Sequence, residues 1–220
     1  MPQRPPDVNP EILRGDLSEE LLQHYLRGAD VAVDTETMGL VTRRDRLCLV
    51  QLCDRAGRAA IVQVPAEALA PSIPPPARAP RLRRLVEDPR VVKVFHFARF
   101  DVAAFAHWLG ASVAPLYCTR TASKLARTYT DRHGLKDNLL ELLDVELDKV
   151  TRHSDWSSPV LTPEQVRYAI SDVTLLLPLR DRLQEMLERQ GRDALARECF
   201  AAIPVMARLD LEGFDLLFEH

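Results

Sequence analysis

The first half of the chain carries its apolar residues in short unbroken runs, and the second half carries them at helical spacing. The runs predict strands over Val31–Val33, Arg46–Cys53 ("RLCLVQLC"), Ala59–Val64, Val91–Phe95 and Val113–Tyr117. The turn "DRAG" joins the second of these to the third. Helical spacing predicts helices over Glu19–Arg27, Arg81–Glu87, Phe100–Leu109, Thr121–Tyr129, Leu135–Leu143, Pro163–Arg189 and Asp193–Ala201. Asp16 or Ser18 caps the first helix, and Gly28 ends it. A strand hairpin comes first, then strands alternating with helices, then helices alone. This order predicts an α/β fold whose mixed-direction sheet is flanked by helices. Two proline-rich stretches interrupt it: an N-terminal arm, Met1–Pro10, and a surface loop, Pro65–Pro80.

Composition narrows the picture. The 220 residues suit one domain with a sizeable core, since 46% are apolar. The 29 basic and 32 acidic side chains leave a net charge of −3. That argues against a broad basic face for long duplex nucleic acid, but leaves room for a short anionic ligand in a small site. Cys48, Cys53, Cys118 and Cys199 show no CxxC spacing and read as free thiols in a reducing compartment. No apolar run reaches the roughly 18 residues of a membrane span, and the first ten residues lack an apolar signal core. The expectation is a cytoplasmic protein with no membrane partner.

Three clusters carry candidate chemistry. In "VAVDTETMGL", Asp34 and Glu36 lie two apart at the end of an apolar strand, so they share a face. Two such carboxylates repel unless a cation sits between them, and hard divalent ions prefer carboxylate oxygen. In "VVKVFHFARFDVAAF", Asp101 falls in the first turn of a helix that follows another inner strand. In "VRYAISDVTLLL", Tyr168 and Asp172 stand one turn apart on a mostly apolar helix. Each has a plainer reading: a solvated turn, a helix-dipole acid, an exposed Tyr/Asp pair. Asp, Glu, Asp, Tyr and Asp in that order form a far more specific set.

On these motifs the chain resembles the DEDD superfamily of 3′–5′ exonucleases, in its tyrosine-containing branch. "GLKDNLLELL" and "KVTRHSDW" resemble connecting segments of the ribonuclease D group. "RDRLCLVQLC", "ASKLARTYTDRHGLK" and "ARLDLEGFDLL" resemble the short nano-RNase C members. Phe97 stands where ribonuclease D usually has Asn, as in the nano-RNase C pattern.

The resemblance implies a ribonuclease H-like fold spanning residues 1–220 as one exonuclease domain, without an additional helical RNA-binding domain. It implies two divalent cations, Mg²⁺ or Mn²⁺, held by Asp34, Glu36, Asp101 and Asp172. In that scheme Asp34 bridges both ions, Glu36 and Asp172 complete the water-activating site, and Tyr168 orients the water. The expected activity is hydrolysis of dinucleotides or very short RNA to nucleoside 5′-monophosphates. The alternative is a general ribonuclease D-like exonuclease acting on longer RNA or DNA ends; a third reading is a non-enzymatic nucleic-acid scaffold.

Substrate contacts are expected from Leu40, as an apolar wedge against bases, and from His96, at sugar or phosphate. Arg120, Lys124 and Arg127, with Tyr129, Arg132 and His133 beyond them, are candidates for capping a 5′-phosphate. The plainer readings are a loop Leu, a core His and a solvated helix face. Trp156 is expected to be a packing anchor beneath the Tyr168 helix rather than a stacking platform. The C-terminal segment is very apolar, and the resemblance implies a homo-oligomer, an octamer by analogy.

Overall fold

The computed structural model describes residues 2–147 and 154–218. Its frame is a six-stranded sheet in the order β1-β4-β3-β2-β5-β6. The strands are β1 (Glu11–Arg14), β2 (Asp30–Thr37), β3 (Leu47–Cys53), β4 (Ala59–Gln63), β5 (Val92–Phe95) and β6 (Leu116–Cys118). β2, β3 and β4 form an antiparallel meander, while β1 joins β4, β5 joins β2 and β6 joins β5 in parallel. The sheet is therefore mixed and the fold α/β, as the element order predicts. β3 is buried along its whole length, which explains its continuous apolar run.

The helices are α1 (Glu19–Tyr25), α2 (Pro80–Glu87), α3 (Ala98–Leu109), α4 (Thr119–Ala126), α5 (Leu135–Leu143), α6 (Pro163–Thr174), α7 (Leu176–Arg189) and α8 (Asp193–Glu212). Ser18 caps α1 by accepting from the Leu21 N–H. Among the differences from expectation, three concern the two C-terminal helical segments and the sheet edge. The predicted helix Pro163–Arg189 is two helices, broken at Leu175. Pro178 explains the break: in an unbroken helix its ring would strike the Thr174 carbonyl, whereas in the first turn of α7 it is tolerated. α8 runs past the expected end at Ala201, and past Pro204, to Gly213. Its buried stripe Ala196, Phe200, Ile203 and Ala207 continues across the proline, and packing of α8 on α3 offsets the lost backbone bond. β1 is an additional, mostly exposed edge strand that the apolar pattern does not reveal.

The proline-rich loop contains two short 3₁₀ turns, Ala66–Leu69 and Pro75–Ala77. Arg78 ties it down by donating to the carbonyls of Ile73, Ala70 and Trp108. The N-terminal arm is held by backbone bonds between Gln3 and the segment Asp144–Glu146.

One irregularity of the sheet positions the site. β2 pairs with β5 only through Ala32, but with β3 as far as Thr37. Its last residues, 33–37, therefore project beyond β5 with one edge left to other partners.

Candidate active site

Asp34 and Glu36 lie on this projecting end of β2, not just past the strand. Their face of the sheet is covered by α6, which packs on β2 and β3. Thr162 and Gln165 form a reciprocal capping box at the start of α6, with Pro163 in its first turn. That fixed start sets the positions of Tyr168 and Asp172 one and two turns later. One carboxylate oxygen each from Asp34, Glu36 and Asp172 lie within 4.8 Å of one another.

Asp101 arrives from the other side. The chain leaves β5, reverses at Phe97 in a left-handed conformation (φ 71°), and enters α3. Asp101, in the first turn of α3, is buried and accepts a 2.6 Å hydrogen bond from Thr35 Oγ1. Tyr168 hydrogen-bonds Asp172. Its ring rests on buried Trp156, with centroids 5.7 Å apart, so Trp156 is a packing anchor as expected.

The electrostatics follow from crowding. Burial, and then the charges of Asp101, Asp172 and Glu36, push Asp34 well above the ordinary carboxylate range. Burial, then Asp172 and Asp101, raise Glu36 to about 8. Burial also raises Asp101, against the lowering effect of Thr35. Burial and the neighbouring acids push the Tyr168 phenol above its ordinary value, so it keeps its proton. A compact all-oxygen donor set that resists its own negative charge fits a hard divalent cation and not a soft metal.

The expected substrate residues are placed unevenly. Leu40 is 88% exposed, at the rim of a cavity of about 510 Å³ also lined by Val41, Phe97, Arg99 and Phe100. His96 is half-buried, with Nδ1 2.8 Å from Thr119 Oγ1, and burial lowers its pKa to about 4, so its imidazole is neutral. Lys124 and Arg132 are exposed. His133 Nδ1 lies 2.9 Å from Ser123 Oγ, and the exposed Tyr129 donates to Glu141 Oε1 at 2.6 Å. Arg127 departs from expectation. It is fully buried, paired with Glu141, and donates to Ser123 Oγ, Asn138 Oδ1 and the Arg132 carbonyl. Its guanidinium braces the α4–α5 connection and is not a solvent-facing cation. Arg120 stacks over the Phe97 ring at 4.3 Å.

Two supporting contacts escape sequence reasoning. Thr35 bonds Asp101; its place between two acids is the only sequence signal. Arg99 pairs with Asp210, fixing the end of α8 to the helix that bears Asp101. Residues 149–153 of the "KVTRHSDW" resemblance lie outside the described residues.

Comparison with known proteins agrees with this geometry. Residues 11–188 match the family model described as 3′–5′ exonuclease. The ribonuclease D of Gluconacetobacter diazotrophicus is 41% identical over 172 residues, which are 78% of this chain and 41% of that protein. The chain thus spans less than half the length of such curated relatives. A structure described as the apo form of the nuclease superposes with a TM-score of 0.89 at 44% identity, covering 97% of this chain and all of the other. Brucella melitensis NrnC superposes with a TM-score of 0.87 at 43% identity, covering 96% and 98%. It has also been solved bound to pGG and with bound Mg²⁺. With the matched region spanning most of the chain and the acids gathered at the end of β2, the chain belongs to the 3′–5′ exonuclease family, in its ribonuclease D-like, NrnC-like part.

Proposed function

We propose that this chain is a divalent-metal-dependent 3′–5′ exoribonuclease that hydrolyses dinucleotides or other very short RNA to nucleoside 5′-monophosphates. The observation that carries the hydrolytic reading is the meeting of Asp34, Glu36 and Asp172 within 4.8 Å, with protonated Tyr168 bonded to Asp172. Asp34, Glu36 and Asp172 hold the cations, and Asp101 supports them from α3. Divalent ions held there would supply charge relief on the phosphoryl oxygens and a lowered pKa for an attacking water. Tyr168 keeps its proton and orients that water. Leu40 offers the bases an apolar face indifferent to sequence. His96, as a neutral imidazole, contacts sugar or phosphate. Lys124 and Arg132, with Tyr129 and His133, receive the 5′-phosphate.

The short-substrate reading is supported by the pGG complex of B. melitensis NrnC, 43% identical across 94% of this chain. The ribonuclease D relatives support a second reading, trimming of longer RNA ends. Phe214, Leu216, Leu217 and Phe218 expose a run of apolar surface at the end of the chain, which supports self-association.

The test is a series of 5′-labelled RNAs of two to about seven nucleotides with Mg²⁺ or Mn²⁺, compared by kcat/KM. Much faster cleavage of the dinucleotide is expected. Equal values at all lengths favour the second reading, and no metal-dependent cleavage at any length overturns both.

A further inference from the structure

Gln51 is the one amide in the apolar strand β3, and it is 0% exposed. Neither its Nε2 nor its Oε1 has a hydrogen-bond partner among the described residues. A buried amide with all its donors and acceptors unused is costly, and in a native chain it calls for a reason. An apolar side chain of the same size would fill the place at no such cost.

Its position supplies a reason. In the β2–β3 ladder Gln51 sits directly opposite Asp34. Opposed residues of an antiparallel pair share a face. The amide therefore lies on the face that bears Asp34 and Glu36, beneath α6 with Tyr168 and Asp172. Of the groups on this face, a carboxylate is the strongest acceptor for an amide N–H.

We propose that Gln51 is a positioning residue for the divalent-cation site: its amide, without a partner in this structure, donates an N–H to the opposed Asp34 carboxylate when the ions are bound and so orients it toward them. The side chain acts through Asp34 and does not touch the phosphodiester. Groups that orient metal ligands in this way typically change metal affinity by tenfold or more when removed.

The assignment rests on the metal-dependent reading above, and the test separates the two. Gln51→Met and Gln51→Leu keep the volume and delete the amide. Melting in EDTA reads the fold, and titration with Mn²⁺ alone, followed by electron paramagnetic resonance, reads the site. The expected result is a metal-free melting temperature at or above wild type, with the Mn²⁺ dissociation constant raised about tenfold. Unchanged Mn²⁺ affinity in both variants overturns the assignment while leaving the metal-dependent reading intact. Failure of both variants to fold in EDTA also overturns it, since the amide then serves the core. Absence of Mn²⁺ binding by the wild-type protein overturns the metal-dependent reading itself.

Discussion

Thr35 Oγ1 donates to Asp101 Oδ1 at 2.6 Å, so the residue between the two strand acids holds the third. Thr35 alternates with Asp34 and Glu36 and points to the opposite face of β2. The contact is possible because β5 has already ended, leaving that edge of β2 open to α3. Thr35→Val keeps the shape and removes the donor. Asp101 then stays buried without that partner, at an expected cost of about 1–3 kcal/mol in urea denaturation. Turnover should fall about tenfold through the loosened carboxylate. A variant of wild-type stability and rate counts against this role.

The crowded acids make stability depend on pH. Glu36 rises from 4.5 in ordinary solution to about 8 in the fold, facing Asp34, Asp101, Asp172 and Tyr168. Its folded pKa exceeds its unfolded one, so the native state binds more protons between these values. Stability is therefore greatest below about 4.5 in respect of this group and is lost as pH rises to about 8. Asp34 and Asp101 act in the same direction. Melting in EDTA should show a downward slope across this window, and saturating Mg²⁺ should flatten it. An equal slope with and without Mg²⁺ sinks the idea.

Asp34→Asn should separate stability from activity. It removes one charge from a mutually repelling group, so the metal-free protein should melt at a higher temperature than wild type at pH 8. Removing a metal-holding oxygen should lower turnover by at least about a hundredfold, beyond what loss of an outer contact costs. Melting curves and single-turnover rates on one preparation check both halves.

Tyr168→Phe preserves the packing on Trp156 and deletes only the hydroxyl. The expected result is a loss of roughly a hundredfold in kcat with Mn²⁺ affinity unchanged. An unaltered kcat removes Tyr168 from the mechanism.

Lys124 and Arg127 are expected to part company. Arg127 is enclosed with four kinds of acceptor, and removing it leaves the buried Asn138 Oδ1 and the Arg132 carbonyl without that donor. Arg127→Met should cost about 1–3 kcal/mol, because the buried Ser123 and Asn138 lose that partner while the exposed Glu141 is left to water. Lys124→Ala, at an exposed position, should change stability by less than about 0.5 kcal/mol while raising KM for 5′-phosphorylated dinucleotides.

These contrasts show where the sequence is readable. The spacings Asp34–Glu36 and Tyr168–Asp172 are local, and strand and helix periods translate them directly into shared faces. The sheet frame was legible for the same reason. Pro178 carried the signal for the break at Leu175, but the apolar spacing on both sides masked it. β1 is short and mostly exposed, so burial left no pattern in "EILR". The fate of Arg127 depends on Glu141 in another helix, and that of Thr35 on Asp101, 66 positions away. Such pairings are set by tertiary packing, which no local period records.

The mismatch in length between β2 and β5 has an evolutionary corollary. Val92 and Val94 of β5 can drift among apolar types without disturbing the acids, whereas Phe95 meets the ring of Phe105 on the helix that carries Asp101. The interval from Phe95 to Asp101 has no such freedom. Adding or deleting one residue there would rotate α3 by about 100°, turning the carboxylate from the open edge of β2 into the core. Relatives that retain the chemistry should therefore tolerate insertions almost anywhere on the rim of this sheet before they tolerate one at that corner.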